Sequence, residues 1–395
     1  MVGSGGERIA HQVFDRDDDP GGQHRRRAFE SEPDIGIHNT WWPAFQILGD
    51  YLRRLCWLLS DGREICEVAI LTDSNGAAWE AARHLYRSQI DFLYIDDEAL
   101  ARATVADGRL AIGPHRFRAV ICDPPAKVSS PALEALAAAG GLVLADWRPE
   151  SLVDTLVAAL GRDVDWPGAP DLRALHYRKE GCDFYLLVNE GERPLEGDLS
   201  LAAAGALELW DALDGSARPW PGEVIAGRTH TRLRLERRQS LVLVVDPRGR
   251  AEPGVPTPPL PGDAVLEIAG PWRAFDEADG PVEVACPGDW AQQAGWETFS
   301  GRLRFRASFA LTAEQVRQPL FLDLGRVGDI AEVTLNGRSL GGRAWAPYVW
   351  RVDQACRAGD NELEVWVTNS IANRLEGLQR PSGLLGPVRL RSARG

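Results

Sequence analysis

The chain has 395 residues, enough for two to four domains of about 100 to 200 residues each, and its 44% hydrophobic content allows a large buried core. A formal charge of -13 and a pI near 5.1 exclude the basic footprint of a nucleic-acid partner. No apolar run approaches the roughly 20 residues of a membrane helix, and the opening MVGSGGERIAHQVFDRDDD has no signal-peptide apolar centre, so a cytoplasmic location is expected.

Residues 1 to 37 are Gly-rich and then heavily charged, too short for a domain, with one short strand expected at Arg8–Phe14. Pro43 suits a first helical position. Phe45, Leu48, Leu52, Leu55 and Leu59 follow at steps of three and four, so a helix is expected up to Gly62, its stripe packed on a parallel sheet. Strand and helix signals then alternate. Strands are expected at Val68–Leu71, Phe92–Ile95, Ala119–Cys122 and Leu142–Ala145, with helices at Ala77–Ser88, Glu98–Ala103 and Pro131–Ala139. Short apolar strands with helical crossovers predict an open, flavodoxin-like parallel α/β domain over residues 38 to 165. From Asp171 the signals are strands alone, at Phe184–Val188, Leu199–Ala202, Ala206–Trp210 and Leu241–Val245, which predicts a small β-sandwich over 170 to 246. Six prolines among the fifteen residues Pro247–Pro261 predict a stiff linker over 247 to 262.

The last module, 263 to 395, has the clearest pattern. Leu303, Phe305, Ala307 and Phe309 alternate with Arg302, Arg304, Arg306 and Ser308, the period of a half-buried strand. Leu320, Leu322 and Leu324 repeat it, as do Ala331, Val333 and Leu335 before the hairpin pair Asn336-Gly337, and Leu363, Val365 and Val367 after Gly359-Asp360-Asn361. An antiparallel sandwich is expected. Six cysteines (Cys56, Cys66, Cys122, Cys182, Cys286, Cys356) show no C-x-x-C pair or zinc spacing and read as reduced core thiols.

Phe321 to Gly377, with its Asn336-Gly337 hairpin, G-x-N-x-L entry (Gly359–Leu363), T-N-x-x-x-N-R-L segment (Thr368–Leu375) and closing G-L-L-G-P (Gly383–Pro387), resembles the galactose-binding-like jelly roll of family 2 glycoside hydrolases. It is more similar still to the C-terminal domain of family 106 enzymes, the α-L-rhamnosidase group. The resemblance extends upstream to His38-Asn39-Thr40-Trp41-Trp42, which in that family follows the end of the catalytic barrel. It implies that residues 1 to 37 are a barrel remnant, that 38 to 165 are glutamine-amidotransferase-like, and that the remaining barrel strands, with the catalytic glutamates, are missing. Trp210-Asp211-Ala212-Leu213-Asp214-Gly215 is similar to the W-D-x-x-x-G turn of linker domains in such glycosidases.

His38, Asn39, Trp41 and Trp42 are candidate sugar contacts: flat indoles suit pyranose C–H faces, while histidine and asparagine bond hydroxyls. The same tryptophans would equally staple the following helix. Trp345, Tyr348 and Trp350, in the loop-like run AWAPYVW, could form an aromatic platform, with Asn369, Asn373 and Arg374 supplying hydrogen bonds. Docking between domains is the competing use for these residues and for Trp366. Asp73-Ser74-Asn75-Gly76 ends the first parallel strand, where open sheets place ligands, yet these residue types are also ordinary helix N-caps. Cys122 is followed by Asp123-Pro124-Pro125, which cannot form a nucleophile elbow, so amidotransferase chemistry is not expected. No carboxylate pair stands in a recognisable barrel-strand context.

The resemblance implies a C-terminal ancillary, carbohydrate-associated region of an α-L-rhamnosidase-like glycoside hydrolase, non-catalytic on its own. The alternatives are an active hydrolase using the residues present or completed by a partner chain, and a scaffold without ligand. The expected partners are a rhamnose- or galactose-containing glycan and a barrel-bearing polypeptide, with no nucleic acid and no membrane. No cofactor is expected, and calcium in the C-terminal module is left open. The missing barrel further predicts that His38–Trp42 and Trp345–Trp350 are uncovered.

Overall fold

The computed structural model describes residues 36–72, 79–123, 130–256 and 258–394. It divides into two compact units: one runs to Ile47 and resumes at Pro261, and the other is Leu48–Leu260. The expected strand at Arg8–Phe14 and the Asp73–Gly76 segment lie outside the described residues.

In the Leu48–Leu260 unit a four-stranded parallel sheet has the order Leu93–Ile95, Val68–Leu71, Ala119–Cys122, Leu142–Leu144. All eight residues of the two central strands are buried, so both faces are covered. The pleat sorts them. Ala69, Leu71, Val120 and Cys122 meet Leu133 and Leu136 of the helix Pro131–Ala138. Val68, Ile70, Ala119 and Ile121 meet Ala81 and Leu85 of Glu80–Arg87 and Leu152 and Leu156 of Pro149–Leu160. The expected helix at Glu98–Ala103 is shorter, Asp97–Ala101, and starts at Asp96, whose carboxylate accepts from Ala99 N. A three-stranded antiparallel meander follows, Thr104–Ala106, Arg109–Ile112 and His115–Phe117. Its first turn is Asp107-Gly108, both at positive φ, the left-handed geometry that a two-residue hairpin demands.

The same unit holds two antiparallel sheets. The six-stranded one runs Arg63–Glu64, Leu172–Lys179, Cys182–Asn189, Ser240–Asp246, Ala206–Asp211, Ser216–Pro219. The four-stranded one runs Glu223–Ile225, Arg228–Leu235, Leu195–Leu201, Val164–Asp165. Tyr185, Leu187, Leu209, Leu243 and Val245 of the first share a core with Leu199, Leu201, Leu233 and Leu235 of the second. The edge strands Arg63–Glu64 and Val164–Asp165 come from segments flanking the parallel sheet.

The helix Phe45–Leu59 corrects one expectation. A 3-10 turn at Trp42–Ala44 holding Pro43 precedes it. Leu58 is its buried leucine, and with Leu55 it packs on Cys182, Phe184, Val242 and Val244, on the second face of the six-stranded antiparallel sheet and not on the parallel one. The cause is the strand Ser240–Asp246. Its five central residues, Leu241–Val245, are all apolar and buried, so both faces need cover. Leu52, expected in the packed stripe, is 45% exposed, and Leu59 is 38% exposed.

The other unit is also antiparallel. Its six-stranded sheet runs Pro281–Val282, Trp272–Phe275, Arg302–Leu311, Gly359–Thr368, Ile330–Leu335, Arg338–Arg343. Its four-stranded sheet runs Pro261–Glu267, Arg389–Ala393, Leu320–Asp323, Val349–Arg351. Leu303, Phe305 and Ala307 lie opposite Val367, Val365 and Leu363, and this inward set shares a core with Leu320, Leu322, Val333, Leu335 and Leu390. Asn336 and Gly337 both take positive φ, as their hairpin requires. The N-terminal segment joins this unit: Thr40 Oγ1 donates to Asn369 O, and a side chain at Gly342 would run into Ile47.

Among the described residues no helix is long and apolar enough to cross a membrane. No three His, Cys, Asp or Glu side chains among them converge as a metal site would require. The six cysteines are free.

Candidate functional site

The sequence-named residues fall into two groups. His38, Trp42 and Arg374 are exposed, and Trp41 and Trp345 are half-buried. Trp42 stacks on Phe45, centroids 5.2 Å apart at 13°, and Trp41 lies 5.7 Å from the same ring, so the indoles do brace the start of the helix. Asn39, Tyr348, Trp350, Asn369 and Asn373 are buried. This corrects the expectation of an uncovered Trp345–Trp350 platform. Val349–Arg351 is a paired strand of the four-stranded sheet, so Trp350 points into the core beside Val352 and Leu322. The Tyr348 hydroxyl donates to Asp329 O.

The two asparagines of the T-N-x-x-x-N-R-L segment are spent within the chain. Asn369 Nδ2 donates to Phe299 O and Ser382 Oγ, each at 2.9 Å, and its Oδ1 accepts from Gly301 N at 2.8 Å. Asn373 Nδ2 donates to Arg380 O at 3.0 Å and Ser382 Oγ at 3.1 Å, and its Oδ1 accepts from Arg380 N at 2.7 Å. They latch the end of one long strand to the loop before Leu384–Gly386, and both donors of each amide are used within the chain. Trp366 lies between Arg302 and Arg304, 4.3 and 5.0 Å from their guanidinium carbons, a cation–π ladder across neighbouring strands.

The Leu48–Leu260 unit contains a cleft that the sequence did not single out. About 440 Å³ lies between Arg53–Leu58 of the helix and the strands ending at Asp211 and starting at Ser216. Trp57 and Trp210 stack as its aromatic wall, centroids 6.2 Å apart at 27°, and Phe184 meets both rings edge-on. Lys179, buried, sets its ammonium 4.0 Å over the Trp57 ring and donates to Trp57 O. Arg54 Nη1 donates to Ala212 O and Leu213 O at 2.8 and 3.1 Å, and its guanidinium packs on Gly215 where a side chain would collide. The W-D-x-x-x-G turn is thereby fixed against the helix. The legible signals were Trp210 in that turn and the Arg53-Arg54 pair four and three residues before Trp57.

A second cavity, about 310 Å³, opens where the parallel sheet meets the antiparallel layers within this unit. His176 is buried with a carboxylate on each ring nitrogen: both Asp163 oxygens are 3.0 Å from Nδ1, and Asp183 Oδ1 is 2.8 Å from Nε2. Arg178 also donates to Asp183, and the imidazole stacks on Tyr185 at 4.1 Å. Burial opposes charge on this ring, but the hydrogen bonds and charges of Asp163 and Asp183 outweigh it and raise the imidazole's pKa. Asp183 is likewise held below its ordinary value, the bonds from His176 and Arg178 overcoming burial. With both nitrogens occupied His176 is a structural cation and not a general base. Asp91, beside the cavity, is pushed up to about 7 by burial and by the charge of Glu64. Cys122 is buried, its thiol raised by desolvation, and the Asp123 carboxylate accepts from Ala81 N at the start of a helix.

No family model matches the chain. Over 88 residues, 22% of the chain, it is 39% identical to the protein named "Putative beta-glucuronidase" of Formosa agariphila, whose length the match covers by 8%. In three dimensions 91% of the chain superposes on 42% of the rhamnosidase from Novosphingobium sp. PP1Y, with a TM-score of 0.70 and 22% identity. A beta-glucuronidase of an uncultured Clostridium species matches 35% of the chain and 30% of its own, with a TM-score of 0.28 and 19% identity. The chain thus spans less than half the length of each of these proteins. Its multidomain, mostly β architecture is the fold of a large part of a solved rhamnosidase.

Proposed function

We propose that this chain is the non-catalytic, carbohydrate-associated region of a glycoside hydrolase of the α-L-rhamnosidase group, with an amidotransferase-like α/β part and a galactose-binding-like jelly roll, completed by a polypeptide that carries the catalytic barrel. The observation that carries this reading is the superposition of 91% of the chain on 42% of the rhamnosidase. Two features support it. Leu52, Cys56 and Leu59 form an exposed apolar stripe on a helix whose opposite side is packed, a surface suited to cover by another polypeptide. His176, with a carboxylate on each ring nitrogen, is tied up inside the fold and is not free to act as a general base.

The test is hydrolysis of aryl rhamnosides and galactosides by the purified chain, with and without a separately expressed barrel polypeptide. The chain alone is expected to release no aryl alcohol, and the mixture to do so. Turnover by the chain alone that disappears on changing a single carboxylate overturns the non-catalytic reading.

A further inference from the structure

We propose that the Trp57–Trp210 cleft is a carbohydrate site that takes one pyranoside ring, its C–H face on the Trp57 indole and its hydroxyls toward Arg53, Arg54, Asp211 and Ser216. The inference rests on the carbohydrate-associated reading and adds a site and a ligand class to it. The cleft, near 440 Å³, is within the roughly 300–1,000 Å³ of small-molecule sites. Trp57 is 45% exposed although it stands in a concave wall, so apolar indole surface is left open to whatever enters.

The wall is preorganised. Lys179 pins the Trp57 ring, Trp210 and Phe184 brace it, and Arg54 is held by two carbonyls of the turn, so little ordering is left to occur on binding. The polar groups then select the ligand. An anion would meet the Asp211 carboxylate and the Asp50 carboxylate that pairs with Arg53, and a cation would meet the two guanidiniums. The lining between these charges is mostly apolar, so the ligand must also bring an apolar face. A neutral ring with one apolar face and a rim of hydroxyls, each both donor and acceptor, satisfies all of these constraints.

The experiment is titration of the intact chain with methyl α-L-rhamnopyranoside, methyl β-D-galactopyranoside and methyl β-D-glucuronide, followed by tryptophan fluorescence. A saturable change is expected with a neutral glycoside and a weaker one with the glucuronide. Ala217→Arg, at an exposed cleft position, should weaken binding tenfold or more without moving Tm, and Trp57→Ala should weaken it as much while lowering Tm, because it also removes the contacts to Trp210, Phe184 and Lys179. Saturable binding that Ala217→Arg leaves unchanged overturns the cleft assignment while the carbohydrate-associated reading stands. No saturable response to any glycoside overturns the cleft and removes sugar binding from that reading, whereas the barrel-complementation assay tests the enzyme relationship separately.

Discussion

Asn369 and Asn373 are where the residue scale is most informative. Each is a buried amide with three hydrogen bonds to other segments of its unit. Asn369→Ala would orphan Gly301 N and Phe299 O, and a buried group left unpaired costs about 1 to 3 kcal/mol. A lowered urea midpoint of that size is expected, and a change under about 0.5 kcal/mol would show that the latch is dispensable. The cluster around His176 gives a pH prediction. A raised imidazole pKa means that the folded state holds its proton more tightly than the unfolded one. Its contribution is full below about pH 6.5, the unfolded value, and is lost as pH rises through the folded one. Asp183, lowered, contributes above the ordinary carboxylate range and loses that contribution as pH falls through its folded value. Asp91, raised to about 7, favours the folded state most below its unfolded value, and that advantage disappears as pH rises towards 7. Asp91→Asn removes the titrating proton at nearly the same volume, so its Tm should fall less than wild type between pH 4 and 8. An identical or steeper fall rules out Asp91 as the group responsible.

For the helix Phe45–Leu59, spacing alone and tertiary packing give opposite predictions. The leucine stripe nominates Leu52, whereas the structure buries Leu58 at 3% exposure and leaves Leu52 at 45%. Leu58→Ala should therefore cost about 2 to 5 kcal/mol as a large-to-small core change. Leu52→Ala should stay within about 0.5 kcal/mol. Chemical denaturation of the two variants side by side distinguishes the arrangements, and the reverse order would place the helix on the wrong sheet. The meander from Thr104 to Phe117 carries no periodic signal in the sequence, because its strands are three or four residues long. Its turns, Asp107-Gly108 and Gly113-Pro114, were the available signal.

At the scale of the whole molecule, the proposed assembly with a barrel polypeptide has a thermodynamic consequence. A barrel polypeptide that binds only the folded chain raises Tm in proportion to the logarithm of its concentration. A concentration-dependent rise is expected on adding the barrel polypeptide. It should be diminished by Leu52→Glu, which puts a charge in the exposed stripe without touching the packed face. A Tm indifferent to the barrel would separate this chain from any such assembly.

The sequence by itself determined the elements whose periodicity is local: the alternating strands around Phe305, Val333 and Val365, the central parallel strands Val68–Leu71 and Ala119–Cys122, and the hairpin at Asn336-Gly337. Alternation and turn chemistry are properties of neighbouring residues, so they survive without a tertiary frame. Only the tertiary structure decided which surface each element meets. It turned the first helix onto the antiparallel sheet, drew Trp350 from an expected loop into a paired strand, and spent Asn369 and Asn373 on internal latches. It also brought Trp57 and Trp210, 153 positions apart in the numbering, into one cleft, and seated His176 between Asp163 and Asp183. Contacts of that kind depend on which buried faces still lack cover once the sheets have formed, a condition set by the whole fold and by no single stretch of sequence.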